Sequence, residues 1–200
     1  MPVPLPSVSS ATRRDAVVLA HAAATLVMVG ILWMVQVVHY PLFREVGDAA
    51  YPTYQSAHIS QIGPLLLLPW GIEALTVLVL VLVPDPRLGR HLPLVGAWLF
   101  AAIVVVTVVW AAPIHGLLAD AGRFDAALHG DLLRWNMVRT VLWTARGAVA
   151  VALVWRVMAT VHKTRPRSAV LPFLNASDVR ESNAARHSPR STPPPRRPPS

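Results

Sequence analysis

Residues 59–83 read ISQIGPLLLLPWGIEALTVLVLVLV, a run of 25 residues in which Glu73 is the one charged side chain. An α-helix needs about 20 predominantly apolar residues to cross the hydrocarbon layer of a bilayer. The run also contains two prolines and two glycines, and membrane helices tolerate both because neighbouring helices satisfy the freed backbone groups. The run therefore predicts a membrane span.

Three further apolar stretches of about 22 to 25 residues have the same character: 15–39, 92–113 and 134–158. A water-soluble four-helix bundle is the alternative, and it requires a charged outer face on every helix. Residues 77–83 and 99–109 contain no charged residue. We therefore expect an all-α fold, a four-helix transmembrane bundle with up-down-up-down topology over residues 15–160.

The composition agrees with a lipid environment. Hydrophobic residues make up 54% of the chain and charged residues 14%, whereas soluble proteins carry about 25% charged residues. The chain contains no cysteine, which excludes disulfides, thiolate metal ligands and thiol nucleophiles.

The net charge of +8 is concentrated in one segment. From Lys163 to Ser200 there are eight basic and two acidic residues, so this Pro-rich segment carries +6 of the total. A nucleic-acid partner is therefore not expected, since the remaining residues are nearly neutral. We expect residues 161–200 to form a disordered tail, because such a composition cannot bury a core.

The flanking charges predict an orientation. Arg13 and Arg14 precede the first span, which is longer than the apolar region of about 7 to 15 residues in a cleaved signal peptide. We expect that span to remain as a signal anchor in the inner (cell) membrane. The positive-inside rule places both termini, including residues 1–14, in the cytoplasm. Seven basic residues flank that side (Arg13, Arg14, Arg87, Arg90, Lys163, Arg165 and Arg167), against three on the other (Arg44, Arg123 and Arg134). The two outer loops, 44–58 and 117–133, are expected to form short amphipathic helices on the membrane surface.

Polar residues within membrane spans are costly and commonly functional. In an up-down-up-down bundle, the end of the first helix, the start of the second, the end of the third and the start of the fourth lie at one end. We therefore expect a polar pocket near the extracytoplasmic face. The residues at these positions are Gln36, His39, Tyr40, His58, Gln61, His115, Asn136, Arg139 and Thr140.

His39, His58 and His115 come from three different helices and form a candidate metal site. Three imidazoles can hold Cu, Fe or Zn with one position open, and two can ligate a haem. The alternative is that each histidine is an amphipathic residue at the membrane boundary, because the sequence has no His-x-x-x-His or Glu-x-x-His spacing on a span.

Glu73 and Arg146 fall at similar depth in two spans, so we expect them to form an ion pair. They are candidate catalytic residues together with Arg139, and a purely structural pair is the alternative. The candidate cofactor-binding or substrate-binding residues are Gln36, Tyr40, Asn136 and Trp143.

Four motifs carry a resemblance that covers about residues 16–158. They are Trp33-x-x-Gln36-x-x-His39-Tyr40-Pro41-x-Phe43, Tyr54-x-x-x-His58, Pro113-x-His115-Gly116 and Asn136-x-x-Arg139-Thr140-x-x-Trp143-x-x-Arg146. In these the chain resembles small uncharacterised bacterial four-span membrane proteins. More distantly, it is similar to the anthrone-oxygenase-like group of four-helix membrane proteins. That similarity implies oxidation of a lipophilic polycyclic substrate without a well-defined cofactor.

Two functions follow from these expectations. The first is a membrane oxidoreductase with a lipophilic small-molecule substrate and a metal or haem held by the three histidines. The second is a non-enzymatic binding or assembly protein whose polar residues pack helices or bind a small ligand.

Overall fold

The structure is a computed structural model that describes the backbone of residues 10–164 and the side chains of residues 11–160. The expectations for residues 1–9 and for the tail beyond Thr164 lie outside the described residues. The described part is helical throughout, with five α-helices: α1 (Ser10–Met34), α2 (Tyr51–Leu82), α3 (His91–Val106), α4 (Ala112–Asp120) and α5 (Ala126–Thr164).

These helices make four membrane spans. A π-helical turn (Val35–His39) and a 3-10 turn (Pro41–Glu45) extend α1, and a second π-helical turn (Thr107–Ala111) joins α3 to α4. The four resulting segments are long and apolar enough to cross a membrane: Ala11–Glu45, Tyr51–Leu82, His91–Asp120 and Ala126–Thr160. The predicted fold class, a four-helix transmembrane bundle, is confirmed for the described residues.

The spans are longer than predicted, and the expectation of separate surface helices in the two outer loops was wrong. Residues from Tyr51 onward are already part of α2, and α4 continues through Pro113 to Asp120. The start of α5 at Ala126 is fixed by Asp125, whose carboxylate accepts hydrogen bonds from the backbone amides of Ala127 and Leu128 at 2.9 Å. This is a side-chain cap, which supplies an acceptor to otherwise unpaired amides.

The packing of α5 follows a heptad pattern. Its core-facing residues alternate in steps of three and four, which is the spacing of a left-handed helix bundle. These buried positions are His129, Leu132, Asn136, Arg139, Trp143, Arg146, Ala150, Leu153 and Val157. The polar residues Asn136, Arg139 and Arg146 of this helix therefore face the bundle interior.

The loop between α2 and α3 is stabilised by ion pairs of Arg87. The Arg87 guanidinium donates to both oxygens of Asp85 and also pairs with Asp15 at 2.7 Å. Hydrogen bonds from the Arg87 side chain hold the pKa of Asp85 below its usual value. Gly89 adopts a φ of +67° in this turn, a conformation that side chains with a Cβ disfavour.

Candidate functional site

Buried polar side chains gather at the end of the bundle where α1 ends and α2 begins, which we call the polar end. Several hydrogen bonds there join different spans. The Tyr40 hydroxyl lies 2.7 Å from His115 Nε2, and His39 Nε2 lies 3.0 Å from His58 Nδ1. The Asn136 amide donates to Gln36 Oε1 at 2.8 Å. The convergence that the sequence predicted is therefore present.

Two π-helical turns bring residues to this end. Each turn is followed two residues later by a proline, Pro41 after the first and Pro113 after the second. Proline has no amide hydrogen to donate to the carbonyl four residues earlier, so the preceding turn opens. In the first turn the Tyr40 amide bonds to the Val35 carbonyl at 2.9 Å, five residues back.

The extra residue in this turn changes which side chains face inward. Continued α-helical spacing would turn Gln36 and His39 toward the core, as the sequence predicted. Instead Val35 and Tyr40 are buried, while Gln36 and His39 are only partly buried. Tyr40 is held in place through its backbone, because His129 donates from Nε2 to the Tyr40 carbonyl at 2.8 Å.

His115 is fixed by two partners. The Gln55 amide nitrogen lies 2.7 Å from His115 Nδ1. With the Gln55 amide in this orientation, its nitrogen donates to Nδ1, and Nε2 carries the proton of the neutral ring. His115 then donates from Nε2 to the Tyr40 oxygen, which leaves the hydroxyl proton of Tyr40 for another acceptor.

The three histidines predicted as metal ligands do come together. The ring centroids of His39 and His58 are 4.9 Å apart, and those of His58 and His115 are 5.1 Å apart. Four of their nitrogens, however, bond to each other, to Tyr40 or to Gln55, and His58 Nε2 has no hydrogen-bond partner among the described residues. Within residues 11–160, no group of three or more His, Cys, Asp or Glu side chains is placed to hold a metal ion. Ligation by these histidines stays a prediction.

Arg139 is a buried cation at the same end. Its side chain is 5% exposed, and it donates from one terminal nitrogen to Asn136 Oδ1 at 3.4 Å. It also contacts the Tyr40 hydroxyl. Its Nε has no hydrogen-bond partner among the described residues.

A cavity of about 430 Å³ lies beside these groups. Its lining is mainly apolar, with polar side chains concentrated toward the polar end and Trp70 further along α2. The indole nitrogen of Trp70 is buried without a hydrogen-bond partner among the described residues. The polar side chains of the polar end that line this cavity are Tyr40, His115, Asn136 and Arg139. His39 and His58 instead line a second cavity of about 400 Å³ between α1 and α2.

The predicted ion pair is present deeper in the bundle. Arg146 donates from Nε to Glu73 Oε1 at 3.5 Å, and both side chains are fully buried. Arg146 also donates to the Gly96 carbonyl. Neither residue lines the 430 Å³ cavity. Trp143, predicted to bind a cofactor, does not line it either, since it is fully buried in a core cluster with Met28, Leu32 and Ile103.

Two residues of the site were missed by the sequence analysis. Gln55 and His129 were assigned to the outer loops, and both are buried within the helical bundle. Gln55 lies three residues before His58, so it shares a helical face with that histidine once α2 is extended backward. That spacing could have identified it.

Comparisons of the chain with protein-family models, with curated proteins and with solved structures find no match. The class of the protein therefore rests on the fold alone. Four apolar helices of sufficient length make the chain a multi-pass membrane protein.

Proposed function

We propose that this protein binds a lipophilic small molecule in the 430 Å³ cavity. The observation that carries the proposal is the uneven lining of that cavity, which is apolar over most of its surface and polar at one end. Binding sites for small molecules commonly have this character, with a few polar groups that orient a largely apolar ligand. The apolar body would pack on Ile62 and Leu66, and its polar group would face Arg139.

The ligand enters from the bilayer in this proposal. Leu67 lines the cavity, yet its side chain is 70% exposed on the outer surface of α2. Ile59, two turns earlier, also lines the cavity and is 39% exposed. A wall formed by lipid-facing side chains supports lateral access for a molecule that is already dissolved in the membrane.

A cavity-filling substitution tests the proposal. A Cβ added at Gly63, which lines the cavity, meets no atom within 4 Å. Gly63→Phe is therefore expected to fold and to abolish a one-to-one adduct with dodecanoate or dodecan-1-ol, measured by native mass spectrometry in tetraethylene glycol monooctyl ether micelles. Gly71→Phe is the matched control, because Gly71 lies on the same helix, has equally open surroundings and does not line this cavity.

Two outcomes of that experiment contradict the proposal. One is that neither probe forms a saturable adduct with the unmodified protein. The other is that Gly63→Phe and Gly71→Phe retain the adduct equally, which would place the bound molecule on the lipid-facing surface rather than in the cavity.

An oxidoreductase acting on the bound molecule is the second candidate function. The observation that favours it is the hydrogen bond of 2.7 Å between Tyr40 and His115 at the cavity wall, because a phenol and an imidazole can exchange a proton with a reacting group. Elemental analysis and an absorption spectrum of the purified protein test the metal or haem that His39, His58 and His115 would hold. One equivalent of Cu, Fe or Zn, or a haem band, is the expected result, and its absence removes metal-dependent or haem-dependent chemistry from this candidate.

The orientation of the bundle belongs to the same proposal. Both termini face the cytoplasm, and the polar end faces the extracytoplasmic side of the cell membrane. This is supported by the seven-to-three distribution of basic residues that flank the spans.

A further inference from the structure

Arg139 differs from the other fully enclosed arginine of α5 in one respect, its lack of an acidic partner. Arg146 pairs with Glu73, whereas Arg139 forms no ion pair with any carboxylate of the described residues. The two lie seven residues apart on the same core-facing stripe. The cavity lies against Arg139, the arginine without a counter-charge.

The acceptors next to Arg139 already have donors. Asn136 Oδ1 already accepts from Arg139, and Gln36 Oε1 already accepts from Asn136. Gln55 Oε1 has no partner among the described residues, but Gln55 does not line the cavity. Arg139 Nε has no partner among the described residues, and the hydroxyl proton of Tyr40 is left over once its oxygen accepts from His115. Both residues line the cavity, so the polar end offers it donors and a positive charge.

A buried cation without a negatively charged partner is strongly unfavourable, and a bound anion relieves that cost. The Nε edge of a guanidinium presents two parallel N–H groups, which match the two oxygens of a carboxylate. Asn136 accepts from the terminal nitrogen on the other edge, so it does not use the Nε edge. Nε itself has no partner among the described residues. A single acyl chain would occupy the apolar remainder of the cavity.

We propose that the ligand of this cavity is a lipophilic carboxylate of the fatty-acid class, held by Arg139 with a hydrogen bond from Tyr40. This rests on the proposed function, since it names the chemical class of the molecule that occupies the cavity. The carboxylate supplies the negative charge and the acceptors for the donors of Arg139 and Tyr40 that line the cavity.

The test compares probes with the same chain and different head groups: dodecanoate, dodecan-1-ol and dodecyl phosphate. Native mass spectrometry is expected to show dodecanoate binding at least tenfold more tightly than dodecan-1-ol. Arg139→Gln should remove that preference while the affinity for the alcohol is retained. Arg134→Gln is the control on the same helix, because Arg134 is 74% exposed and pairs with Asp131 outside the cavity; it should leave the preference unchanged.

Each contrary outcome has a separate meaning. Equal binding of dodecanoate and the alcohol to the unmodified protein overturns the carboxylate assignment and leaves the cavity proposal standing. Tighter binding of dodecyl phosphate than of dodecanoate also overturns it. Saturable binding of no probe contradicts the cavity proposal itself.

A second measurement does not depend on the variant folding. In the unmodified protein, dodecanoate should raise the unfolding temperature more than dodecan-1-ol does, because it alone neutralises Arg139. Equal shifts for the two probes overturn the assignment.

Discussion

At the scale of single residues, the ion pair of Glu73 and Arg146 is the contact that the sequence predicted most directly. Each is a charge within a span, and the cost of burying either one alone implied a partner at matching depth. The structure pairs them at 3.5 Å. The sequence did not predict the hydrogen bond from Arg146 to the Gly96 carbonyl or the contact of Arg146 with the Phe100 ring. Both contacts depend on how α3 packs.

Removing either member of this pair should be costly. We expect Glu73→Ala or Arg146→Ala to lower the free energy of unfolding by about 3 to 5 kcal/mol, since each leaves an uncompensated buried charge. The double variant should recover part of that loss. The measurement is a double-mutant cycle by unfolding in mixed micelles with a denaturing detergent.

The exposed pair of Arg44 and Glu45 provides the control for this cycle. Their atoms lie 3.4 Å apart, but both side chains are more than half exposed, so Glu45→Ala should change stability by less than about 1 kcal/mol. Single substitutions at Glu73 and Arg146 that are equally harmless would contradict the packing described here.

Asp85 predicts a dependence of stability on pH. Its pKa is lowered in the folded protein by hydrogen bonds from Arg87, so its stabilising contribution is present above the unfolded value of about 3.9. That contribution is lost as the pH falls through the lower folded value. At pH 7, Asp85→Asn should cost about 1.5 to 3 kcal/mol, and the difference from the unmodified protein should shrink in strong acid. A constant difference between Asp85→Asn and the unmodified protein across this pH range would contradict the assignment.

At the scale of elements, sequence reasoning identified all four spans and underestimated their length. Apolar content marks where lipid contacts a helix, so residues 51–58 and 126–133 were assigned to loops because they are more polar. They are helical because their polar side chains face the bundle interior, as Gln55 and His129 do. The π-helical turns were also not foreseen, although each precedes a proline, because proline alone does not fix how the preceding turn relaxes.

The second π-helical turn gives a prediction for Pro113. Pro113→Ala restores the missing amide and permits a regular α-helix across residues 107–116. The π-helical turn fits one extra residue into a single turn, and a regular α-helix does not. His115 would then rotate by about 100° away from Tyr40. We expect unchanged or higher thermal stability together with at least tenfold weaker dodecanoate binding.

Pro64→Ala is the control for this substitution, since Pro64 lies inside α2 and does not line the cavity. It should leave binding unchanged. Normal dodecanoate binding in Pro113→Ala would show that the π-helical turn does not position His115.

At the scale of the whole molecule, chain order predicts which residues share the polar end, and flanking charge predicts the side of the membrane that this end faces. An even number of spans puts both termini on one side, and the basic residues predict that this side is the cytoplasm. Reporter fusions after Ser200 and within the loop near Asp125 should report opposite sides of the membrane. Fusions on the same side would contradict the four-span topology, and reversed sides would contradict the orientation.

The sequence predicted a polar pocket, but it did not predict the size of the cavity or its apolar part. The polar lining of the cavity was predicted from residues at one depth, but its volume depends on how α2 packs against the other spans. The proposed role of its polar groups in ligand binding follows from their hydrogen-bond partners, which cannot be read from a sequence. Arg139 was chosen from sequence for its depth, whereas its missing counter-charge is visible only in the structure.

Photo-crosslinking with a dodecanoate that carries a diazirine tests the cavity most directly. In the purified protein, the label is expected on residues 59–70 of α2 and residues 107–116 of the third span, and excess dodecanoate should compete it away. Labelling confined to lipid-facing positions such as Leu75 and Leu78, both more than half exposed, and unaffected by competitor would contradict a ligand in the cavity.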